Sequence, residues 1–213
     1  TSGADFAGVQ GRVTVRDAGV RAGTHDFVAT RFMAKRTVPG GVAWLEAGWA
    51  ETGWSGDGRQ RIYTFDTNSN AWTFYDQYPL NAGDQVWIYL HTEASGPRPA
   101  WQAWLWWRDG WHLLAAQELP LGTHAQVEQY VEVYVDPRRG GPPFPVPPVD
   151  VDNVQVKADP GGGLRYWRED VPTSAGGSHD RYCLTWRTHY DTWSAGDCEV
   201  SRERHRWWER HGN

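Results

Sequence analysis

Glu46 and Glu128 are among the carboxylates of this sequence that stand near aromatic residues in strand-like segments. Each lies in a segment that alternates apolar and polar residues, which predicts a β-strand with two distinct faces. Trp44 falls on the predicted face of Glu46, and Tyr130 and Glu132 fall on that of Glu128. A curved sheet that has carboxylates, Tyr and Trp on one face presents a groove for an extended polymer. The alternative is a solvated outer face, which glutamates favour by default.

The 15 Trp residues are the second candidate feature. Within residues 100–107, Trp104 shares a predicted face with Gln102 and Trp106, from which it could contact an extended ligand. Because Trp both fills cores and forms flat binding platforms, the excess alone leaves core packing and ligand binding open.

The charge balance excludes a broad nucleic-acid-binding surface. The charged fraction is 22% with both signs mixed, and the formal net charge is −5. No apolar run is long enough to cross a bilayer. The sequence has neither clustered His nor a Gly-rich loop that opens a helix, so it predicts no metal and no cofactor. The partner expected is an extended polymer, either a peptide or a polysaccharide.

The two cysteines, Cys183 and Cys198, predict a disulfide. Closing this short loop would contribute about 3 kcal/mol to stability. Two buried free thiols are the alternative. A disulfide points to an oxidising compartment, so we expect a secreted, extracellular protein, in a mature or trimmed form that begins at Thr1.

Period-two alternation predicts an all-β, two-sheet antiparallel sandwich that forms a single domain over residues 1–213. We expect strands at residues 9–16, 26–35, 42–51, 61–66, 71–78, 86–91, 100–108, 111–116, 127–136, 151–157, 163–168 and 182–189. The Pro-rich stretch 137–150 is interpreted as a crossover between the sheets, because the chain after it is too poor in apolar residues for a second core. The tail 201–211 can form a short helix on the outside.

Several segments resemble, in matching order, motifs of the glutamic peptidases (eqolisins). Residues 44–49, Trp-Leu-Glu-Ala-Gly-Trp, are similar to the family's Leu-Gln-Thr-Gly strand. Residues 71–79 resemble its aromatic strand ending in Trp-Tyr-Pro, and residues 82–86 its Pro-Gly-Asp turn. Residues 127–132, Val-Glu-Gln-Tyr-Val-Glu, resemble Ala-Glu-Trp-Ile-Val-Glu, and a Pro-Phe-Pro-Val-Pro-Pro-Val stretch follows. The resemblance implies a jelly-roll, lectin-like sandwich.

The resemblance also implies roles for particular residues. Glu128 would be the general acid/base, and Glu46 stands where the family has Gln. By this resemblance, we expect the strands 42–51 and 127–136 to be neighbours. Two carboxylates that lie close together share a proton, so Glu46 and Glu128 should form a proton-sharing pair. Any activity should then be confined to acidic pH. Trp72 would line the groove, and Asp76 lies near a family Glu, which predicts a wider acidic cluster.

Three functions are therefore considered. The first is an acid-acting hydrolase that uses the pair of glutamates to cleave an extended polymer, with a peptide as the favoured substrate. The second is a non-catalytic module that binds polysaccharide or peptide on an aromatic groove. The third is a structural secreted protein whose aromatic residues fill two large sheets.

Overall fold

The computed structural model describes residues 1–96, 98–179 and 181–202. This part of the chain is almost entirely β-structure. Its strands are β1 (Gly8–Thr14), β2 (Phe27–Val38), β3 (Gly41–Thr52), β4 (Arg61–Asp66), β5 (Ala71–Phe74), β6 (Gln85–His91), β7 (Ala100–Trp107), β8 (Gly110–Glu118), β9 (Gln126–Tyr134), β10 (Val149–Lys157), β11 (Leu164–Tyr166), β12 (Tyr182–Thr188) and β13 (Thr192–Asp197).

The strands form two antiparallel sheets, which confirms the predicted sandwich. The five-stranded sheet has the order β5-β4-β3-β2-β9. The eight-stranded sheet has the order β12-β13-β10-β1-β6-β7-β8, with β11 beside β10. No helix in the described residues is long and apolar enough to span a membrane.

The main core lies between the two sheets. It takes one face of most of the strands, as the alternation predicts, and includes fully buried Trp49 and Trp101. The sheets approach closely where Gly11 of β1 faces Phe32 of β2. A Cβ at Gly11 would lie 2.5 Å from the Phe32 ring, so this contact requires glycine.

Residues 137–148 lead from β9 in one sheet to β10 in the other. Two of their apolar side chains, Phe144 and Val146, are buried in the inter-sheet core. The Val146 carbonyl also accepts a hydrogen bond from the Asp197 N–H. The segment therefore packs against both the core and the end of β13.

Three sequence-based expectations need correction. The segments 42–51 and 127–136 are not neighbours, because β2 lies between β3 and β9. β5 ends at Phe74 rather than residue 78, since the chain turns where the Tyr78 N–H donates to the Tyr75 carbonyl. The strand β13 was not predicted, because Trp193 is the only large apolar residue in Thr-Trp-Ser-Ala-Gly-Asp.

Cys183 and Cys198 form the predicted disulfide, with their Cα atoms 4.9 Å apart. The bond joins β12 to the residue that follows β13, where a short helical segment covers residues 198–202. Only the first two residues of the predicted 201–211 helix belong to this segment, and the others lie outside the described residues.

Candidate active site

One face of the five-stranded sheet points away from the other sheet, and we call it the site face. It carries Arg31, Met33 and Lys35 of β2, Trp44, Glu46 and Gly48 of β3, Tyr63 and Phe65 of β4, Trp72 and Phe74 of β5, and Glu128, Tyr130, Glu132 and Tyr134 of β9. Both predicted catalytic glutamates therefore lie on one surface.

Glu46 and Glu128 lie in the same row across the strands. Met33 of β2 pairs with Glu46 on one side and with Glu128 on the other. Since neighbouring strands are about 4.8 Å apart, the Cα atoms of the two glutamates are separated by about 10 Å. The pair thus flanks Met33.

Arg31 is the central cation of the site face. Its guanidinium lies 3.3 Å from the Glu46 carboxylate, and it also forms an ion pair with Glu132. It stacks over the Tyr130 ring, 4.4 Å from the ring centroid. Arg31 and Glu46 are 7% and 3% exposed, so this ion pair is largely removed from water.

Glycine at position 48 makes the Arg31 contacts possible. Gly48 lies between Arg31 and Tyr63 in one row of the sheet. A Cβ there would lie 1.8 Å from the Thr30 carbonyl oxygen, so β2 and β3 could not approach as they do. Across this gap Arg31 donates to the Tyr63 hydroxyl at 3.3 Å, and that hydroxyl donates to Glu46 at 3.1 Å.

Glu128 has a different cation as its partner. Lys35 of β2 lies 2.6 Å from its carboxylate, and the Gln126 amide donates to it at 3.3 Å. Among the described residues no hydrogen bond joins Glu46 to Glu128. The expected proton-sharing contact is therefore not seen, because β2 separates the two strands and supplies each carboxylate with its own cation.

Burial sets the protonation of the site. Removal from water raises the pKa of Glu46 to about 7, although Arg31 and the Tyr63 hydroxyl favour its charged form. Burial likewise raises the pKa of Tyr130 to about 12. Glu46 is therefore a protonated acid below about pH 7, with Arg31 still paired to Glu132.

Aromatic rings flank the carboxylates. Trp72 stacks on Tyr63 with ring centroids 4.5 Å apart, and Trp44 stacks on Phe65 at 5.4 Å. Both tryptophans were predicted at the site, and both lie on the site face. Together these rings give the face an apolar surface on which an extended chain could lie.

Two predicted site residues lie elsewhere. Asp76 is in the exposed turn after β5, where its nearest cation is Arg61 at 3.9 Å, so it does not widen the acidic cluster. Trp104 belongs to β7 in the other sheet, and its indole N–H donates to Gln102. Period-two alternation assigns residues to a face of a strand but does not say which sheet contains that strand.

Arg31, Lys35 and Tyr63 are site residues that were not predicted from the sequence. The signal was available for the two cations, because alternation within the predicted strand 26–35 places residues 31, 33 and 35 on one face. Tyr63 lies in a strand whose apolar and polar residues alternate less clearly. Across the described residues, no cluster of three or more His, Cys, Asp or Glu is placed to hold a metal ion.

Searches against protein-family models and against curated proteins find no match. Solved structures, by contrast, resemble this chain over nearly its whole length. Scytalido-glutamic peptidase bound to a transition-state analogue inhibitor has a TM-score of 0.59 and 14% identity, and the match covers 92% of this chain and 94% of that chain. The same peptidase with a peptide-based transition-state analogue gives 0.55 and 13%, with the same coverage.

A second peptidase shows the same similarity. SCP-B, a member of the eqolisin family in complex with the tripeptide Ala-Ile-His, has a TM-score of 0.57 and 14% identity over 92% of this chain and 94% of that chain. At such identity the likeness concerns the arrangement of strands and not the individual side chains. The chain therefore has the β-sandwich fold of the glutamic peptidases.

Proposed function

We propose that this protein is an acid-acting peptidase that uses Glu46 and Glu128. The observation that carries the proposal is the row Glu46–Met33–Glu128, which puts two carboxyl groups on one face of the sheet, one on each side of Met33. The neighbouring fold supports a peptide as the ligand, because the matched structures hold a peptide-based analogue and a tripeptide.

The proposed reaction divides two roles between the carboxyl groups. A peptide lies across the site face with its scissile carbonyl above Met33. Glu128, ionised, accepts a proton from a water molecule whose oxygen attacks the carbonyl carbon. Glu46, protonated, donates a hydrogen bond to the oxyanion that forms. Glu128 then gives its proton to the amine nitrogen as the carbon–nitrogen bond breaks.

The surrounding charges are compatible with this division. When Glu46 is neutral, Arg31 keeps Glu132 as its counterion, so no buried cation is left without a partner. Lys35 lies 2.6 Å from the Glu128 carboxylate and is its counterion. Above about pH 7 Glu46 loses its proton and can no longer donate to an oxyanion.

Secretion is part of the same proposal. The disulfide between Cys183 and Cys198 suits an oxidising environment. An acidic extracellular medium would also keep Glu46 protonated. We therefore expect the protein to act outside the cell, on peptides or unfolded proteins.

The direct experiment is an assay with an unfolded protein substrate from pH 3 to pH 8, with product peptides identified by mass spectrometry. We expect cleavage by the wild type in acid and loss of at least about 100-fold in Glu128→Gln, because the general base is gone. Glu118→Gln, an exposed position on β8 of the other sheet, is the matched control and should keep full activity. An inactive wild type at every pH would refute the proposal.

A polymer-binding module is the second candidate, and one observation favours it. On the outer face of the eight-stranded sheet, Trp106 and Trp111 are 39% and 37% exposed, with ring centroids 5.5 Å apart. Exposed Trp is typical of binding platforms. Retention on insoluble polysaccharide that Trp106→Ala abolishes, in a protein that cleaves no peptide, would establish this function instead.

A further inference from the structure

A cavity of about 740 Å³ opens beside β9, and Glu128 is the one proposed catalytic residue in its lining. It lies between β9 of one sheet and the β12–β13 hairpin of the other, with the loop 173–177 at one side. Its walls are of mixed polarity, and their apolar part includes Val131, Val133, Trp167, Leu184, Trp186 and Trp193. Its volume falls in the range of about 300–1,000 Å³ that is typical of ligand sites.

The main chain of β9 borders this cavity. In the described part of the chain β9 pairs with β2 alone. Near the start of β9, the Thr1 amine donates a hydrogen bond to the Val127 carbonyl, and the Val127 N–H donates to the Thr1 hydroxyl at 3.3 Å. Both main-chain groups of Val127 therefore point away from β2. Since strands repeat every two residues, those of Gln129, Val131 and Val133 point the same way.

Within the described part of the chain, the outward groups of the last three of these residues have no hydrogen-bond partner. Across residues 1–96, 98–179 and 181–202, no hydrogen bond reaches the main-chain N–H or C=O of Gln129, Val131 or Val133 on this side. All three residues line the cavity. A regular series of unpaired donors and acceptors is a template for another strand.

The edge of β9 differs from the other edges of the two sheets. β5, at the opposite edge of the same sheet, has four residues. β8 pairs with β7, and β12 pairs with β13, with a break in register in each case. Such an irregularity twists the edge strand and hinders its pairing with a further strand. β9 has nine residues in unbroken register with β2 and contains neither Pro nor Lys. Proline, lysine and a bulge, which protect many edges, are thus missing from β9 where the cavity lies.

We propose that the β9 edge binds an extended peptide, added as an antiparallel strand, whose alternate side chains are apolar. Peptide residues opposite Gln129, Val131 and Val133 would direct their N–H and C=O groups to β9. Their side chains would enter the gap between the sheets, where Trp186 and Trp193 lie. The intervening side chains would lie beside Glu128 and Glu132 on the site face.

The observations select a peptide among the conceivable occupants. Only a polypeptide main chain repeats a donor and an acceptor at the spacing of the β9 edge. The apolar wall opposite favours apolar side chains at every second position. Binding here requires neither Glu46 nor Glu128 to react, so the proposal stands apart from the proposed peptidase activity.

The probe is the fluorescein-labelled peptide Lys-Val-Thr-Val-Thr-Val-Lys-amide, with binding measured by fluorescence anisotropy at pH 7.5. In an antiparallel pairing with Val toward the gap, the Val N–H groups bond to β9 and the Thr N–H groups point away. N-methylation of the Val residues should weaken binding at least tenfold, whereas N-methylation of the Thr residues should change it less than about twofold. Equal effects of the two modifications would overturn the proposal.

A protein variant and an exchange measurement complete the test. Val131→Pro removes an outward N–H while sparing the β2 pairing, and should weaken binding at least tenfold. If that variant does not fold, amide hydrogen exchange of the wild type, measured with and without the peptide, tests the proposal instead. The amides of Gln129, Val131 and Val133 should exchange fast in the free protein and slow at least tenfold with peptide. Unchanged exchange at saturating peptide, or protection that instead rises with protein concentration through pairing of two copies, would overturn the proposal.

Discussion

Arg31 of β2 and Glu46 of β3 form a buried ion pair with 3.3 Å between guanidinium and carboxylate. The carboxylate nevertheless has a pKa raised to about 7, because burial outweighs the attraction of the cation. The site can therefore hold a neutral glutamic acid in mildly acidic solution, in contact with a permanently charged arginine that has Glu132 as its other partner.

The raised pKa of Glu46 predicts how stability depends on pH. An ordinary glutamate has a pKa of 4.5, so between pH 4.5 and 7 the folded state binds more protons than the unfolded state. The free energy of unfolding should then fall as pH rises across this window, by about 3 kcal/mol in total from this group. Denaturant titrations at pH 5 and pH 8 measure it. Glu46→Gln should lose most of this dependence, and an equal dependence in both proteins would contradict the assignment.

Replacement of Arg31 tests its role as the central counterion. Arg31→Met leaves Glu46 and Glu132 without their buried cation, which should cost about 3–5 kcal/mol at pH 8. The loss should be smaller at pH 5, where Glu46 is neutral. Arg12→Met, which breaks a partly exposed pair with Asp152, is the control and should cost about 1 kcal/mol or less at either pH. A loss for Arg31→Met that does not change with pH would contradict the account.

Gly48 should tolerate no side chain. In Gly48→Ala the new Cβ meets the Thr30 carbonyl, so β2 and β3 must separate and the Arg31–Tyr63 contact weakens. We expect a loss of about 3 kcal/mol in unfolding free energy. Gly110→Ala is the matched control, because a Cβ there meets nothing within 4 Å, and it should change stability by less than about 0.5 kcal/mol. Similar thermal melting of both variants would contradict this packing.

The disulfide should stabilise the C-terminal hairpin. Replacing both Cys183 and Cys198 with Ser should lower the free energy of unfolding by about 3 kcal/mol, since the unfolded chain regains the freedom of the closed loop. Thermal melting with and without a reducing agent checks this. The double variant should have the same melting temperature as the reduced wild type. A double variant as stable as the oxidised wild type would contradict this prediction.

Much of the strand architecture could be predicted from alternation alone. The predicted strand 61–66 has the observed bounds, and the other observed strands that were predicted differ mainly at their ends. Alternation correctly put Glu46 and Glu128 on the polar faces of their strands. It could not give the order of strands in a sheet, which depends on long-range pairing, so the position of β2 between β3 and β9 was missed.

The chemistry of the site was harder to predict than its location. Arg31 and Lys35 lie in a strand that was correctly expected, but nothing in the sequence shows which carboxylate each one meets. Trp104 was grouped with the site because one strand pattern resembles another, although β7 belongs to the other sheet. The raised pKa of Glu46 likewise depends on burial by neighbouring strands, which only the fold reveals.

The central claim is that neutral Glu46 stabilises the oxyanion while Glu128 acts as the base. The rate of hydrolysis of an unfolded protein, measured from pH 3 to pH 9 for the wild type and Glu46→Gln, tests it most directly. The wild type should lose activity as pH rises through about 7, whereas Glu46→Gln, whose amide donates at every pH, should stay active above that point. A Glu46→Gln protein whose activity falls at the same pH as the wild type, or the absence of cleavage by either protein, would contradict the claim.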